Sequence, residues 1–340
     1  MKHRLRRGMR RKLLEKVDRR TKFSAVTFFS EVSSEESARK LIWQMKLGSE
    51  GFSCSCGSKE YWDLKSQPEV KECSGCGKQH RLRAKTIFQN SKLPLLTWLR
   101  ALHFVMQDKR GISALQLQRL LGLSSYQTAW SMLLRIRRGL GKRDEQYQLK
   151  GRVELDGAFF INDPEKLKKQ HLTGNKKDAV LVAIEQKAWV DSKGRPKTRA
   201  GFAKVYVTQS TKETKKDADE FVSQAIKSGS TIATDGKLRK FKNQTTDSKV
   251  VSGDTKLVEA HLPWVHKFIS NSKRWILGTH HGRIQNKYLK YYLAEYTFRF
   301  NRRHDPNSLF SRALAACCEA PGLTLPCISS KHSGQPRLVC

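Results

Sequence analysis

Past residue 152 the apolar residues change their spacing, and no other feature constrains the fold as much. VELDGAFF (153–160), DAVLVAIEQ (178–186) and FAKVYVTQ (202–209) are short runs rich in β-branched and aromatic residues, and they predict three strands. TKETKKDADEFVSQAIK (211–227) then sets Ala218, Phe221, Val222, Ala225 and Ile226 along one stripe of a helix. STIAT (230–234) predicts a fourth strand, and another is expected at 248–252. Pro263 opens a helix reaching about Leu277, and a second, aromatic-rich helix covers 286–300. Strands, a helix, a strand and then helices define an α/β domain with a mixed sheet. Asp156 falls inside the first strand and Asp235 at the end of the fourth. If those two strands are neighbours, both carboxylates meet at one edge. Hard oxygen ligands of this kind suit Mg2+ or Mn2+.

The residues before 152 read differently. Residues 1–22 form a basic arm, and 24–48 read as helical, with Ser33 and Ser34 ahead of Glu35 and Glu36. Residues 51–80 are short-patterned and rich in Gly and Cys, 95–141 are helical again, and 142–151 is a polar linker. The expected organisation is an arm and helical region (1–50), a zinc ribbon (51–90), a helix-turn-helix-like region (91–150), the catalytic domain (151–304) and a loosely ordered tail (305–340).

Charge limits the partners. The chain has 340 residues, with 66 Lys and Arg against 31 Asp and Glu, a formal net charge of +35. Both halves carry the excess, so it is not a basic tail on a neutral protein. A molecule this positive repels itself, and nucleic acid is the polyanion that compensates it best, through release of phosphate counterions. Mean hydropathy is −0.61. The longest apolar run, Ala179 to Ile184, is far too short to cross a bilayer, and the amino terminus has no apolar core of a secretory signal. The expectation is a cytoplasmic protein with no membrane partner.

Four of the eight cysteines lie within 23 residues. Cys73 and Cys76 form a CxxC followed by Gly77, and Cys54 and Cys56 form a CxC followed by Gly57. Two such pairs resemble the knuckles of a zinc ribbon, in which four thiolates surround a structural Zn2+. The first pair is one residue short for the usual turn, and His80 is an alternative ligand. Cys317, Cys318, Cys327 and Cys340 have no ligand spacing. Downstream, GISALQLQRLLGLSSYQTAWSMLLRIRR (111–138) has the outline of a helix-turn-helix, with Arg135, Arg137 and Arg138 late in its second helix as candidate DNA contacts.

The helix opened by Pro263 places His266 and Lys273 two turns apart on one face, with Trp264, Phe268 and Trp275 on another. The strand and helix order is that of RNase H-like nucleases. VELDGAFF, ATDG and LPWVHKFISNSKRWILGTHHGRIQNKYLKYYLAEYTFRFNRR together resemble the DDE-type transposases of bacterial insertion sequences that carry an N-terminal zinc ribbon. The TIF-x-x-SKLPL-x-x-W segment (86–98) and SALQLQRLLGL agree with this, and the resemblance spans roughly 30–305. It implies that Asp156 and Asp235 are the first two acidic residues, that His266 stands in the third position, and that Lys273 is the following lysine, with Arg274 beside it on the DNA. It also implies two Mg2+ or Mn2+ ions per active site, held by Asp156, Asp235 and His266. Should a third carboxylate be needed, Asp254, Glu259 and Glu295 are nearby. The implied partners are double-stranded DNA, both element ends and target, and a second copy of the chain, because two ends must be joined at the bacterial nucleoid. The competing expectations are a DNA-binding protein without catalysis and an RNase H-like nuclease that cleaves without joining.

Overall fold

A computed structural model describes residues 24–160, 178–208, 214–235, 241, 244–248, 260–282 and 284–322. The basic arm, Asp254 and Glu259 lie outside the described residues. The chain forms two compact units, one of residues up to Arg143 together with those from His304, the other of Asp144–Arg303.

The first unit opens with α1 (Ala25–Glu31) and α2 (Glu35–Leu47). Ser24 and Ser34 cap them by accepting the N–H of Thr27 and Ser37. A three-stranded antiparallel sheet follows, β1 (Tyr61–Asp63), β2 (Val70–Cys73) and β3 (Gln79–Arg81). Then come α3 (Leu95–Gln107), α4 (Ala114–Leu121) and α5 (Tyr126–Asp144). Glu35 accepts the N–H groups of Leu95 and Leu96 at 2.8 and 2.9 Å, so a side chain of α2 caps α3. Lys46 ties α2 to the chain after β3, donating to the carbonyls of Arg81, Leu82 and Ala84. Gly122 ends α4 in the left-handed conformation at φ +61°, as its place in the helical hairpin requires.

The expected loose tail is instead partly built into this unit. Pro306–Ser308 forms a 3-10 turn and Leu309–Glu319 forms a helix, α9, three helices of the second unit intervening in chain order. Phe310, Ala313, Leu314, Ala316 and Cys317 are buried. Phe310 meets Phe28 edge-on at 5.3 Å, and Phe28 stacks on His103 at 4.2 Å. Ile87 donates its N–H to the Cys317 carbonyl at 3.0 Å. At Gly139 a Cβ would stand 3.2 Å from Ile87 and 3.4 Å from the Cys317 backbone, so α5 comes close to α9 there only because that residue has no side chain. The apolar spacing of 309–318 was a helical signal that the neighbouring Pro and Gly obscured.

The second unit is a five-stranded sheet in the order β6-β5-β4-β7-β8. Its strands are β4 (Arg152–Phe160), β5 (Asp178–Val190), β6 (Pro196–Val207), β7 (Thr231–Thr234) and β8 (Thr245–Ser248). β4, β5 and β6 run as an antiparallel meander, while β4 pairs with β7, and β7 with β8, in parallel. The last strand therefore precedes the expected 248–252, most of which lies outside the described residues. Helix α6 (Lys215–Ala225) covers one face, with Phe221, Val222 and Ala225 packed against Val153, Leu155, Leu181, Ala183 and Ile232. Those of β4 and β5 are odd-numbered, as alternation across a strand demands, and Ile232 lies opposite Val153 in β7. Helices α7 (Pro263–His280) and α8 (Asn286–Asn301) belong to this unit too, α7 against β4 and β5 and α8 against β6. The expected linker is shorter than predicted: α5 runs to Asp144, and Leu149 pairs with Ile226. Among the described residues no helix is long and apolar enough to cross a membrane.

Candidate active site and metal centre

β4 and β7 are in register through Arg152–Thr231, Val153–Ile232 and Glu154–Ala233. Carried two residues on, that register sets Asp235 beside Asp156, on strands that in any sheet lie about 4.8 Å apart. Val153 and Ile232 belong to the core beneath α6. Glu154, Asp156 and Asp235 therefore share the opposite face.

Helix α7 completes this face. His266 Nε2 lies 3.4 Å from Asp156 Oδ2, and the two side chains are 32% and 19% exposed. That nitrogen is itself buried and has no hydrogen-bond partner among the described residues. Asp156 Oδ1 accepts the N–H of Gly157 at 2.8 Å, which fixes the carboxylate. Lys273 is exposed two turns along α7, with Nζ 5.7 Å from the ring centre of Phe160 at the far end of β4. Arg274 is exposed beside it. A carboxylate and an imidazole in contact, with Asp235 on the same face, are ligand types that divalent cations take, and the imidazole suits Mn2+ better than Mg2+.

The sequence reading missed Glu154. It is fully buried, two residues before Asp156, and its Oε2 accepts the N–H groups of Trp264 and Val265 at 2.8 and 2.9 Å. These are among the first N–H groups of α7, and they have no partner within the helix. A strand carboxylate thus pins the helix that carries His266. Burial pushes the Glu154 carboxyl above its ordinary range, against the two N–H donors, which favour the charged form. The available signal was the spacing E-x-D on a strand, which puts both acids on one face.

Two expectations change. Glu295 is fully buried on α8 and paired with Arg299 at 3.2 Å, a helix-internal partnership that occupies it as an ion pair. Trp264 does not turn inward with Phe268 and Trp275; it is half-buried, and its indole N–H donates to Thr198 Oγ1 at 3.2 Å.

The four cysteines of the first unit converge. Sγ atoms of Cys54, Cys56, Cys73 and Cys76 all lie within 4.8 Å of one another. Cys54 to Cys76 is 3.6 Å and Cys56 to Cys73 is 3.5 Å. A tetrahedron with zinc–sulfur bonds of about 2.3 Å has edges of about 3.8 Å, so the cluster has the dimensions of a Zn2+ site. The short first knuckle is accommodated by a shorter turn. Cys73 accepts the N–H of Gly77, whereas Cys54 accepts that of Gly57, one residue nearer. Both glycines have positive φ, +93° and +67°. The alternative ligand His80 stands outside the thiol group, edge-on to Phe52 at 4.8 Å. Burial raises the Cys73 thiol, yet the N–H groups of Gly75 and Cys76 and the adjacent thiols outweigh it and bring the group down to about 6. The Lys78 N–H lowers the Cys76 thiol, but the other three thiols and burial outweigh it and push Cys76 up to about 12, so the thiols share their protons unequally. Purified protein is expected to carry one zinc per chain by elemental analysis, and Cys73→Ser to lose it; a folded wild type without zinc would remove the metal from the ribbon.

One expected DNA contact on α5 is corrected, and the other two are engaged within the unit. Arg137 is only 1% exposed and cannot reach a phosphate. Arg135 donates to the carbonyls of Ile87 and Gln89, and Arg138 to that of Pro321. These side chains hold α5 in its unit. The start of the helix, Tyr126 and Gln127, is exposed, as are Ser124 and Ser125 before it.

The sheet order, with its second strand antiparallel and acids on the two central parallel strands, defines the second unit as an RNase H-like domain. More particularly, residues 148–301 match the ISXO2-like transposase domain. That match covers nearly the whole second unit, and this part of the chain is a transposase domain of the DDE insertion-sequence type. No curated protein matches the chain.

Proposed function

We propose that the protein is an insertion-sequence transposase that binds the element's terminal repeats, cleaves a phosphodiester to free a 3′-OH, and joins that end to target DNA. The observation that carries this reading is the Asp156–His266 contact beside the in-register Asp235, within a matched transposase domain. Asp156, Asp235 and His266 would hold the divalent cations. Bound there, such ions activate the attacking oxygen and stabilise the leaving one. Asp156 is held still by the Gly157 N–H, so its oxygens keep one geometry through the reaction. Lys273 and Arg274 lie exposed on the same helix and offer positive charge to the scissile strand. Two ends must meet in one complex, so the active form is a dimer or a larger assembly on DNA, acting in the cytoplasm at the nucleoid.

End recognition falls to the first unit. In a helix-turn-helix the early residues of the second helix meet base edges, and here those are Tyr126 and Gln127. Gln127→Ala is expected to weaken binding to the element's end by roughly 1–3 kcal/mol while leaving random DNA unaffected. Equal loss on both DNAs, measured by anisotropy, would remove the base-reading role. Incubation of protein, Mn2+ and end-bearing DNA tests the whole reading. Cleavage with joining is expected. Cleavage alone would leave a nuclease, and bound but intact DNA would leave a binding protein.

A further inference from the structure

The hairpin of β5 and β6 is longer than the sheet it belongs to. β4 pairs with β5 only as far as Arg152–Gln186, yet β5 and β6 remain paired through Lys187–Arg199, Ala188–Thr198, Trp189–Lys197 and Val190–Pro196. Residues 187–199 are thus a two-stranded ribbon beyond the end of β4. All of them are exposed except Asp191, which is half-buried. The ribbon holds five basic residues, Lys187, Lys193, Arg195, Lys197 and Arg199, against Asp191 alone. Trp189 and Val190 are 41% and 63% exposed.

Its tip is rigid. Asp191 accepts the N–H groups of Lys193 and Arg195 and pairs with the Arg195 and Lys197 side chains at 2.9 and 3.2 Å. Directly opposed residues share a face, so one side of the ribbon presents Lys187 with Arg199 and Trp189 with Lys197. Glu185 pairs with Lys187 at 3.6 Å, and Arg199 opposite adds a second cation to this face, which a phosphate would compensate. The ribbon is also joined to the active-site helix. Thr198 accepts the indole N–H of Trp264, whose own backbone N–H is held by Glu154, and His266 follows two residues later.

We propose that residues 187–199 are a DNA-gripping ribbon, contacting the duplex engaged at the neighbouring aspartates; this rests on the transposase reading above. A two-stranded ribbon fits the major groove, and its cations meet phosphates on either side. A second copy of the chain fits poorly. The ribbon's charge would repel its twin. Trp189 and Val190 are adjacent in the strand and face opposite ways, so they form no continuous apolar patch.

The test uses the full chain and a fluorescein-labelled duplex of random sequence, because phosphate contacts do not depend on sequence. The variant Lys193→Ala/Lys197→Ala/Arg199→Ala should bind about tenfold more weakly, and its slope of log affinity against log KCl should fall by about 2 to 3. A photo-crosslinking residue in place of Trp189 should label the DNA. An unchanged midpoint of thermal unfolding shows that the variant folds. If the wild type binds and cleaves while the variant keeps the wild-type slope, the ribbon proposal is overturned and the transposase reading stands. Crosslinking at 189 to a second protein chain instead of DNA also overturns it. A wild type that neither binds nor cleaves removes both.

Discussion

Asp156→Asn should lower strand cleavage by about a thousandfold, about 4 kcal/mol of transition-state stabilisation, with end binding largely kept. The amide has the carboxylate's shape, and its oxygen can still accept the Gly157 N–H. Only the charge is removed, and charge is what cations at this site require. Asp235→Asn should behave alike, because the β4–β7 register gives it the same face. Gel-resolved cleavage of end-bearing duplex in Mn2+, set beside a mobility shift, separates chemistry from binding. Retained cleavage with lost binding would dismiss both residues from the site.

Glu154→Ala carries the second large effect, and it reaches the chemistry through His266. The substitution leaves the N–H groups of Trp264 and Val265 without their acceptor, a cost of about 1.5–3 kcal/mol for each charge-assisted bond. The start of α7 then loses its anchor to β4. Cleavage should fall by one to two orders of magnitude with little change in DNA affinity, about 1.4–2.8 kcal/mol in the barrier. Glu154→Gln keeps an oxygen for both N–H donors and should restore most of the rate. If alanine and glutamine were equally poor, the helix anchor would not be the reason. The pH dependence has a definite sign. Because burial raises this carboxyl from an ordinary value of 4.5, the folded protein holds the proton more tightly than the unfolded chain. The associated stability is complete below the unfolded value and is lost as pH rises through the folded one. Denaturation followed across that range should show a flatter profile for Glu154→Gln.

Much of this was legible beforehand, for reasons particular residues make plain. Strand periodicity located β4, β5 and β6, and the stripe Ala218, Phe221, Val222 and Ala225 located α6 with its buried face intact. Asp156 and His266 were readable because strand and helix positions follow from local pattern, and the structure brings them together. Cys54 and Cys56 were readable as ligands, but not the one-residue economy of their turn, which depends on backbone hydrogen bonds. Arg137 misled because a basic side chain looks alike in sequence whether it meets solvent or is buried. Glu154 escaped notice for the opposite reason: its partners are backbone groups 110 and 111 residues away. The ribbon escaped because Lys187 to Arg199 reads as polar loop, while its pairing follows from the register that β5 and β6 set further along the hairpin.

The burial of α9 bears on how the protein is made. Phe28 and His103 leave the ribosome about 200 residues or more before Phe310, which closes over them. The first unit therefore cannot finish its own core while the transposase domain is being translated. A product that stops short of residue 309 would display Phe28, Ile87 and the α5 surface at Gly139 to solvent. Such fragments would be prey for proteolysis.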